Sequence, residues 1–305
     1  MALKICPLGS GSKGNAVYIK SGKHSFLIDC GLPVTNIKNG LADINSSLNE
    51  ISGILITHEH IDHIRSAGIL AEGYGIPIYA HEQTFKALNK KYPKIKNAAT
   101  FKTFAGFSLC GLHIIPFLNP HDVFTVGYSI ADEDSRIVYA TDLGYVTPTL
   151  LEIAKKADLV MLESNYDACM LKSGRYPYYL KRRIASEMGH LSNDECADAI
   201  AEMLKRGTKK FILGHLSEEN NFPSLALSAS CSQLNRLGAV EGEDYFIGVA
   251  LQKETGEKIN SALTPQAITC YTVGGSTQVT LEDIAEDKNM LKGGSQEAAL
   301  GCKGK

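Results

Sequence analysis

ILITHEHIDHIRSAGIL, residues 54–70, passes from a β-branched apolar run, through several groups that titrate or bind metals, into helical spacing. Ile54, Leu55 and Ile56 read as a short strand, and Ile64, Ala67, Ile69 and Leu70 have helical spacing. His58, His60, Asp62 and His63 therefore stand at a strand-to-helix junction. Neutral imidazoles and a carboxylate on one turn are the donors that zinc, manganese or iron takes. In extended backbone alternate side chains share a side, so His58 and His60 can hold one ion while Asp62 and His63, near the helix start, face a second. Glu59 and Ile61 point elsewhere.

Two ions need more ligands than one turn supplies, and the rest of the chain offers them. His121 follows the strand LHIIPFLNP, Asp142 ends RIVYATDLG, and His215 ends KKFILGHLSEEN. Each is expected at the carboxyl end of a strand, where side chains converge on one rim. An aspartate between two ions can bridge them, and Asp142 is the candidate. Asp29, closing SFLIDCG, is expected to orient a ligand or the backbone from behind.

Around this turn the pattern is α/β. LKICPLG (3–9), NAVYIKSG (15–22) and HSFLIDCG (24–31) read as a meander separated by glycine, serine and lysine turns. Strands follow at 51–57 and 76–80, a helix from Glu82 to Lys91, and further strands near 101–105, 113–118, 124–130 and 136–141. The second half alternates: helix TLLEIAKKA, strand DLVMLES, helices YYLKRRIASEM and NDECADAIAEMLKRG, strand KKFILGH, helix LALSASCSQLNRLG and strand YFIGVALQ. Strands followed by helices, with antiparallel runs inside each half, predict two mixed sheets facing each other with helices outside, a four-layer αββα sandwich of the α/β (α+β) class.

The bulk properties narrow the class. The chain has 305 residues, 44% hydrophobic and 21% charged, with a net charge of −2, so any nucleic-acid site must be a local basic surface. No apolar run of about 18 residues is present to cross a bilayer. MALKICPLGSGSKGN lacks a secretory pattern, so the default expectation is a cytoplasmic protein. Eight scattered cysteines without a C-x-x-C pair are expected as reduced thiols filling small core volumes. Residues 1–255 are expected as one folded domain and 256–305 as a partly disordered C-terminal extension, with a short amphipathic candidate at Leu281–Leu291.

Asp29, THEHIDH, His121, ATDLG with Asp142, and His215 occur in the order found in the metallo-β-lactamase fold hydrolases, which this sequence resembles over residues 3–252. The resemblance implies two divalent ions, one held by His58, His60, His121 and Asp142, the other by Asp62, His63, Asp142 and His215. No cysteine is in register with the one that true β-lactamases place at the second ion. The lone aspartate bridge resembles the phosphodiesterase and thioesterase branches. Glu163 and His190 resemble the paired Glu and His of the RNase Z group, implying Glu163 as orienter and His190 as general acid and phosphate contact. GSGSKGN, ESNYD, GHLSN and GHLSEENN look like the YycJ/WalJ-like subfamily, for which the implied activity is 5′-to-3′ exonuclease action on DNA.

The substrate side is read from weaker signals. GSGSKGN is not a P-loop, because Lys13 precedes Gly14 and no Ser or Thr comes next. It is a turn between strands, or else Ser10, Ser12 and Asn15 lie under the rim and donate to phosphate oxygens. Asn165 and Arg182 complete the candidate substrate contacts. Lys172, Arg175, Lys181, Arg182 and Arg183 surround three tyrosines, a mix that suits either a nucleic-acid strand or a solvated helix. The expected chemistry is in-line phosphodiester hydrolysis by a metal-activated hydroxide, with Asp62 accepting a proton from the water and His190 supplying one to the leaving oxygen. The alternatives are a hydrolase of small phosphodiesters or thioesters on the same site, and a non-catalytic metal-binding regulator.

Overall fold

The structure is a computed structural model and describes residues 3–250 and 270–273. Contacts divide the chain into two compact units, one built on Lys4–Phe101 and the other on Lys102–Val249.

In the first unit β1 (Leu3–Gly9), β2 (Ala16–Ser21) and β3 (His24–Ile28) form an antiparallel meander. β3 then continues in parallel to β4 (Ile51–Ile56), β5 (Ile78–His81) and β6 (Ala98–Phe101). Parallel neighbours need crossovers, and these are helical: α1 (Val34–Asp43), α2 (Ile61–Ile64) with α3 (Ala67–Gly73), and α4 (Glu82–Lys91). Leu27, Ile54 and Ile56 share one core with Ile37 and Leu41 of α1, Leu70 of α3 and Leu88 of α4.

The second unit repeats the plan. β7 (Phe107–Leu109), β8 (Leu112–Asn119), β9 (Thr125–Ala131) and β10 (Arg136–Ala140) are antiparallel, and β10, β11 (Leu159–Glu163), β12 (Lys210–Gly214) and β13 (Phe246–Val249) are parallel. Its helices are α5 (Pro148–Ala154), α6 (Ala168–Ser173), α7 (Tyr178–Ile184), α8 (Asn193–Lys205) and α9 (Pro223–Arg236). The central strands LVML and FIL are buried along their whole length, as strands covered on both faces require. Val138, Val160 and Leu213 pack with Ile153 of α5, Ile200 and Met203 of α8, and Leu234 of α9. α8 begins at Ser192, whose hydroxyl accepts from Glu195 N while the Glu195 carboxylate reaches back to Ser192 N, a capping box that fixes where the helix starts.

Three departures from the sequence reading are found. The strand expected near 101–105 lies at Ala98–Phe101, and Phe104 has a φ of 58°, a left-handed turn that no pleated strand accommodates. A last strand, β14 (Tyr271–Val273), joins the β1 edge of the first sheet, so part of the stretch expected as an extension builds the fold. The expectation of reduced cysteines is corrected: Cys6 is disulfide-bonded to Cys270, and Cys110 is disulfide-bonded as well. Cys6 and Cys270 are 264 residues apart, and only β14 lying along β1 makes them neighbours, which no local spacing reveals. Cys30 and Cys196 do fill buried core volume as free thiols. The Leu281–Leu291 helix candidate lies outside the described residues. Among the described residues no helix is long and apolar enough to cross a membrane.

Candidate functional site

In the first unit the chain leaves β4 at Ile56 and enters α2 at Ile61, with His60 as the residue before the helix. That short crossover carries the crowded histidines. The His58 ring centre lies 4.6 Å from that of His60 and 4.1 Å from that of His63. Asp62 is half-buried, and its Oδ2 is 3.5 Å from His63 Nε2.

What orients these rings is Asp29, at the end of β3. It is fully buried and its φ of 59° puts it in the left-handed region, which an aspartate tolerates better than most residues. Its Oδ1 accepts from Thr57 N at 2.8 Å, and its Oδ2 accepts from Thr57 Oγ1 at 2.9 Å and from His63 Nδ1 at 2.7 Å. Burial pushes the Asp29 carboxyl above its usual range despite the pull of His63. Because the Thr57 hydroxyl spends its proton on Asp29, its oxygen accepts from His58 Nδ1 at 3.0 Å. Both Nδ1 atoms thus carry hydrogen, and Nε2 of His58 and of His63 keeps its lone pair.

Ser10 and Asn15 prop the same turn. The Asn15 carbonyl accepts from Gly11 N at 2.9 Å and from Ser10 Oγ at 3.3 Å, while its amide donates to Gly11 O at 3.1 Å and approaches His63 Nε2 at 3.1 Å. Both side chains are fully buried. These bonds correspond to the turn reading of GSGSKGN; of the three expected phosphate donors there, only Ser12 is exposed.

In the second unit the expected residues again follow strand ends: His121 after β8, Asp142 after β10, Glu163 closing β11 and His215 after β12. Asp142 and His215 have φ of 59° and 54°, so the backbone turns sharply where the side chains are needed. Asp142 Oδ1 lies 3.8 Å from His121 Nε2, 3.8 Å from His190 Nδ1 and 3.6 Å from His215 Nδ1. Glu163 is the organiser. Its Oε1 accepts from His190 Nδ1 at 2.8 Å and His215 Nδ1 at 2.7 Å, and its Oε2 from Leu143 N at 3.1 Å and Leu191 N at 3.3 Å. Burial pushes this carboxyl up, but the His190 and His215 imidazoles outweigh it and hold it below the usual range. His121 Nδ1 donates to Gly189 O at 2.9 Å, and burial lowers the affinity of its ring for a proton. His121 and His215 are therefore presented like His58 and His63, with Nε2 as the donor atom. Asp142, Glu163, His190 and His215 thus bring polar atoms within 4.8 Å of one another, with the Nδ1 hydrogens of both rings taken by Glu163.

Asn165 is buried, and its amide donates to His215 O at 2.8 Å, which makes it a strut of the His215 turn. Arg182 is exposed. Sequence reasoning missed Thr57, Asn221 and the Asp122–Arg183 pair. Asn221 donates to the carbonyls of Ser164 and Asn165. Asp122 Oδ1 lies 3.3 Å from His121 Nε2 while its Oδ2 binds the Arg183 guanidinium. Only the adjacency of His121 and Asp122 in NPHD could have signalled that link.

Two mixed sheets with histidines and acids at their strand ends define a hydrolase fold of the α/β class, as the sequence predicted. Residues 24–216 match the family described as the Beta-lactamase superfamily domain, and the chain belongs to that superfamily. It is 38% identical to exodeoxyribonuclease WalJ of Streptococcus pneumoniae over 257 residues, covering 81% of this chain and 94% of that protein. With exodeoxyribonuclease YycJ of Bacillus anthracis it shares 34% identity over 255 residues, covering 81% and 95%. The solved structure of the metallo-β-lactamase fold protein YhfI from Bacillus subtilis matches in fold with a TM-score of 0.66 at 17% identity, over 89% of this chain and all of that one.

Proposed function

We propose that this protein is a metal-dependent phosphodiester hydrolase, and most specifically a 5′-to-3′ DNA exonuclease. The observation that carries the reading is Glu163 holding His190 and His215 by their Nδ1 atoms beside the buried Asp142. Two superfamily relatives that each match most of their own length are named exodeoxyribonucleases, which supports DNA as the substrate class. A DNA substrate also favours a cytoplasmic setting, and residues 1–255 are taken as the hydrolase domain.

The ligand order along the chain supports two divalent ions, zinc, manganese or iron. In this reading His58, His60, His121 and Asp142 would hold one ion, and Asp62, His63, Asp142 and His215 the other. When bound, such a pair makes water acidic enough to deprotonate near neutral pH and neutralises charge growing on the phosphoryl oxygens. Asp62 accepts the proton of the attacking water. His190, one-fifth exposed, gives its Nε2 proton to the departing alkoxide while Glu163 fixes its ring. Asp29 and Thr57 keep His58 and His63 in the ligating tautomer.

The test is digestion of end-labelled DNA, with and without a 5′ phosphate, by full-length protein loaded with each metal. Stepwise loss of nucleotides, abolished in a His58→Ala/His60→Ala variant, is expected. Retained cleavage in that variant overturns the metal mechanism. Turnover of bis-nitrophenyl phosphate or a glutathione thioester with all DNA left intact overturns the nuclease assignment.

A further inference from the structure

Helix α7 has no residue buried, although seven residues are too few for a helix to persist without tertiary support. Tyr178 and Tyr179 are 76% and 74% exposed, the two most exposed large hydrophobic side chains among the described residues. The stretch 172–183, KSGRYPYYLKRR, holds five cations and no carboxylate in a chain whose net charge is −2. Solvation explains the cations. It does not explain two aromatic rings presented to water.

The helix is held by its ends and by its charges. Lys181 Nζ donates to Lys172 O at 2.7 Å, and Arg183 Nε donates to Asp122 Oδ2 at 3.0 Å, next to His121. At its C-terminal end Ile184 O accepts from His190 N at 2.9 Å, and Gly189 O accepts from His121 Nδ1 at 2.9 Å. A side chain at Gly189 would place Cβ 2.2 Å from Ile184 O, so only glycine permits this closure. The segment that fixes His190 and His121 therefore also fixes α7. On the outer side the Arg182 guanidinium sits 5.9 Å from the centre of the Tyr178 ring, one helical turn away.

We propose that α7 is a stacking rail for single-stranded DNA, with Tyr178 and Tyr179 as base platforms and Lys172, Arg175 and Arg182 as phosphate contacts. The inference rests on the nuclease reading above and adds where the strand runs. A single strand is the occupant that fits, because a duplex engages the cations but leaves the rings without an unpaired base to stack on. Arg183, committed to Asp122, ties the rail to His121 rather than to the strand.

The test is binding of fluorescently labelled oligothymidylate and of a duplex of equal length to full-length protein in EDTA, followed by anisotropy over a range of salt. Tyr178→Ala/Tyr179→Ala is expected to weaken single-strand binding about tenfold or more, at about 1–3 kcal/mol per stacked base, and to affect the duplex much less. Tyr178→Phe/Tyr179→Phe, which keeps both rings, is expected to bind like the wild type. Arg182→Ala is expected to lower the slope of log Kd against log salt by about 0.7. Wild-type affinity in the double alanine variant, or equal loss in the double phenylalanine variant, overturns the rail. If the wild type cuts DNA with manganese while the alanine variant binds normally, only the rail falls. If the wild type neither binds nor cuts DNA, the nuclease reading falls and takes the rail with it.

Discussion

Glu163 Oε1 lies 2.7 Å from His215 Nδ1, and the same oxygen also takes the Nδ1 hydrogen of His190 at 2.8 Å. One buried carboxylate thus sets the tautomer of a proposed ligand and of a proposed general acid. Glu163→Gln keeps the shape but removes the charge and puts an amide NH2 either against the Leu143 and Leu191 N–H groups or against the two rings, so it cannot satisfy all four donors. Metal affinity is expected to fall about 10- to 100-fold, as for other supports behind a metal ligand. Titration with manganese or zinc against a competing chelator measures it. His190→Ala is expected to do the reverse, leaving metal affinity within a few-fold while DNA cleavage slows about 10²- to 10⁴-fold. Equal metal loss in both variants would instead make His190 a ligand.

Thr57 does for the first unit what Glu163 does for the second, on a smaller scale. Its hydroxyl donates to Asp29 at 2.9 Å and accepts from His58 at 3.0 Å, in a region closed to water. Thr57→Val preserves volume and removes both bonds. The buried imidazole and carboxylate left short of a partner are expected to cost about 1–3 kcal/mol of stability. Urea unfolding of the metal-free protein reads this as a lower midpoint with an unchanged slope.

The histidine turn was legible because its signal is local: an apolar strand, alternating donors and a helical face lie within seventeen residues. His121, Asp142 and His215 were legible as polar residues closing apolar runs. The contacts that orient them were not. Glu163 and His215 are separated by 52 residues, and Asp29 and His63 by 34, so their pairing depends on which strands lie side by side. Asn15 shows the limit in the other direction. Its place in a glycine-serine loop left a turn and a phosphate contact both open, and neither pointed to the bond that Asp62 O accepts from its backbone N–H at 2.8 Å, beside a fully buried side chain. Cys270 stood in a segment whose composition gave no hint of β14.

Gly31 offers a test of how tightly the histidine turn is built. Cys30 N donates to His63 O and Gly31 N to Asn15 O, each at 2.8 Å, so the segment after β3 is stitched against the turn. A Cβ on Gly31 would stand 1.5 Å from Asp62 O and 2.7 Å from His63 N. No rotamer relieves a clash with backbone, so Gly31→Ala has to move residues 62 and 63. A loss of about 3 kcal/mol is expected from overpacking alone. The expected pattern is a lower unfolding midpoint together with weaker metal binding. Unchanged metal affinity in a folded Gly31→Ala protein would show that the positions of Asp62 and His63 matter less than proposed.

The cysteines separate by burial and by bonding. Cys169 is exposed at the start of α6, whereas Cys30 and Cys196 are fully buried, and burial raises both of their thiols far above the range in which a thiolate forms near neutrality. Iodoacetamide needs access to the sulfur, so native protein is expected to be labelled first at the exposed Cys169. Cys30 and Cys196 are expected to react only after unfolding, and Cys6 and Cys270 only after unfolding and reduction together. Peptide mass spectrometry of protein alkylated in these three states checks each step. Labelling of Cys6 in unfolded, unreduced protein would show that the bond joining it to Cys270 is not formed.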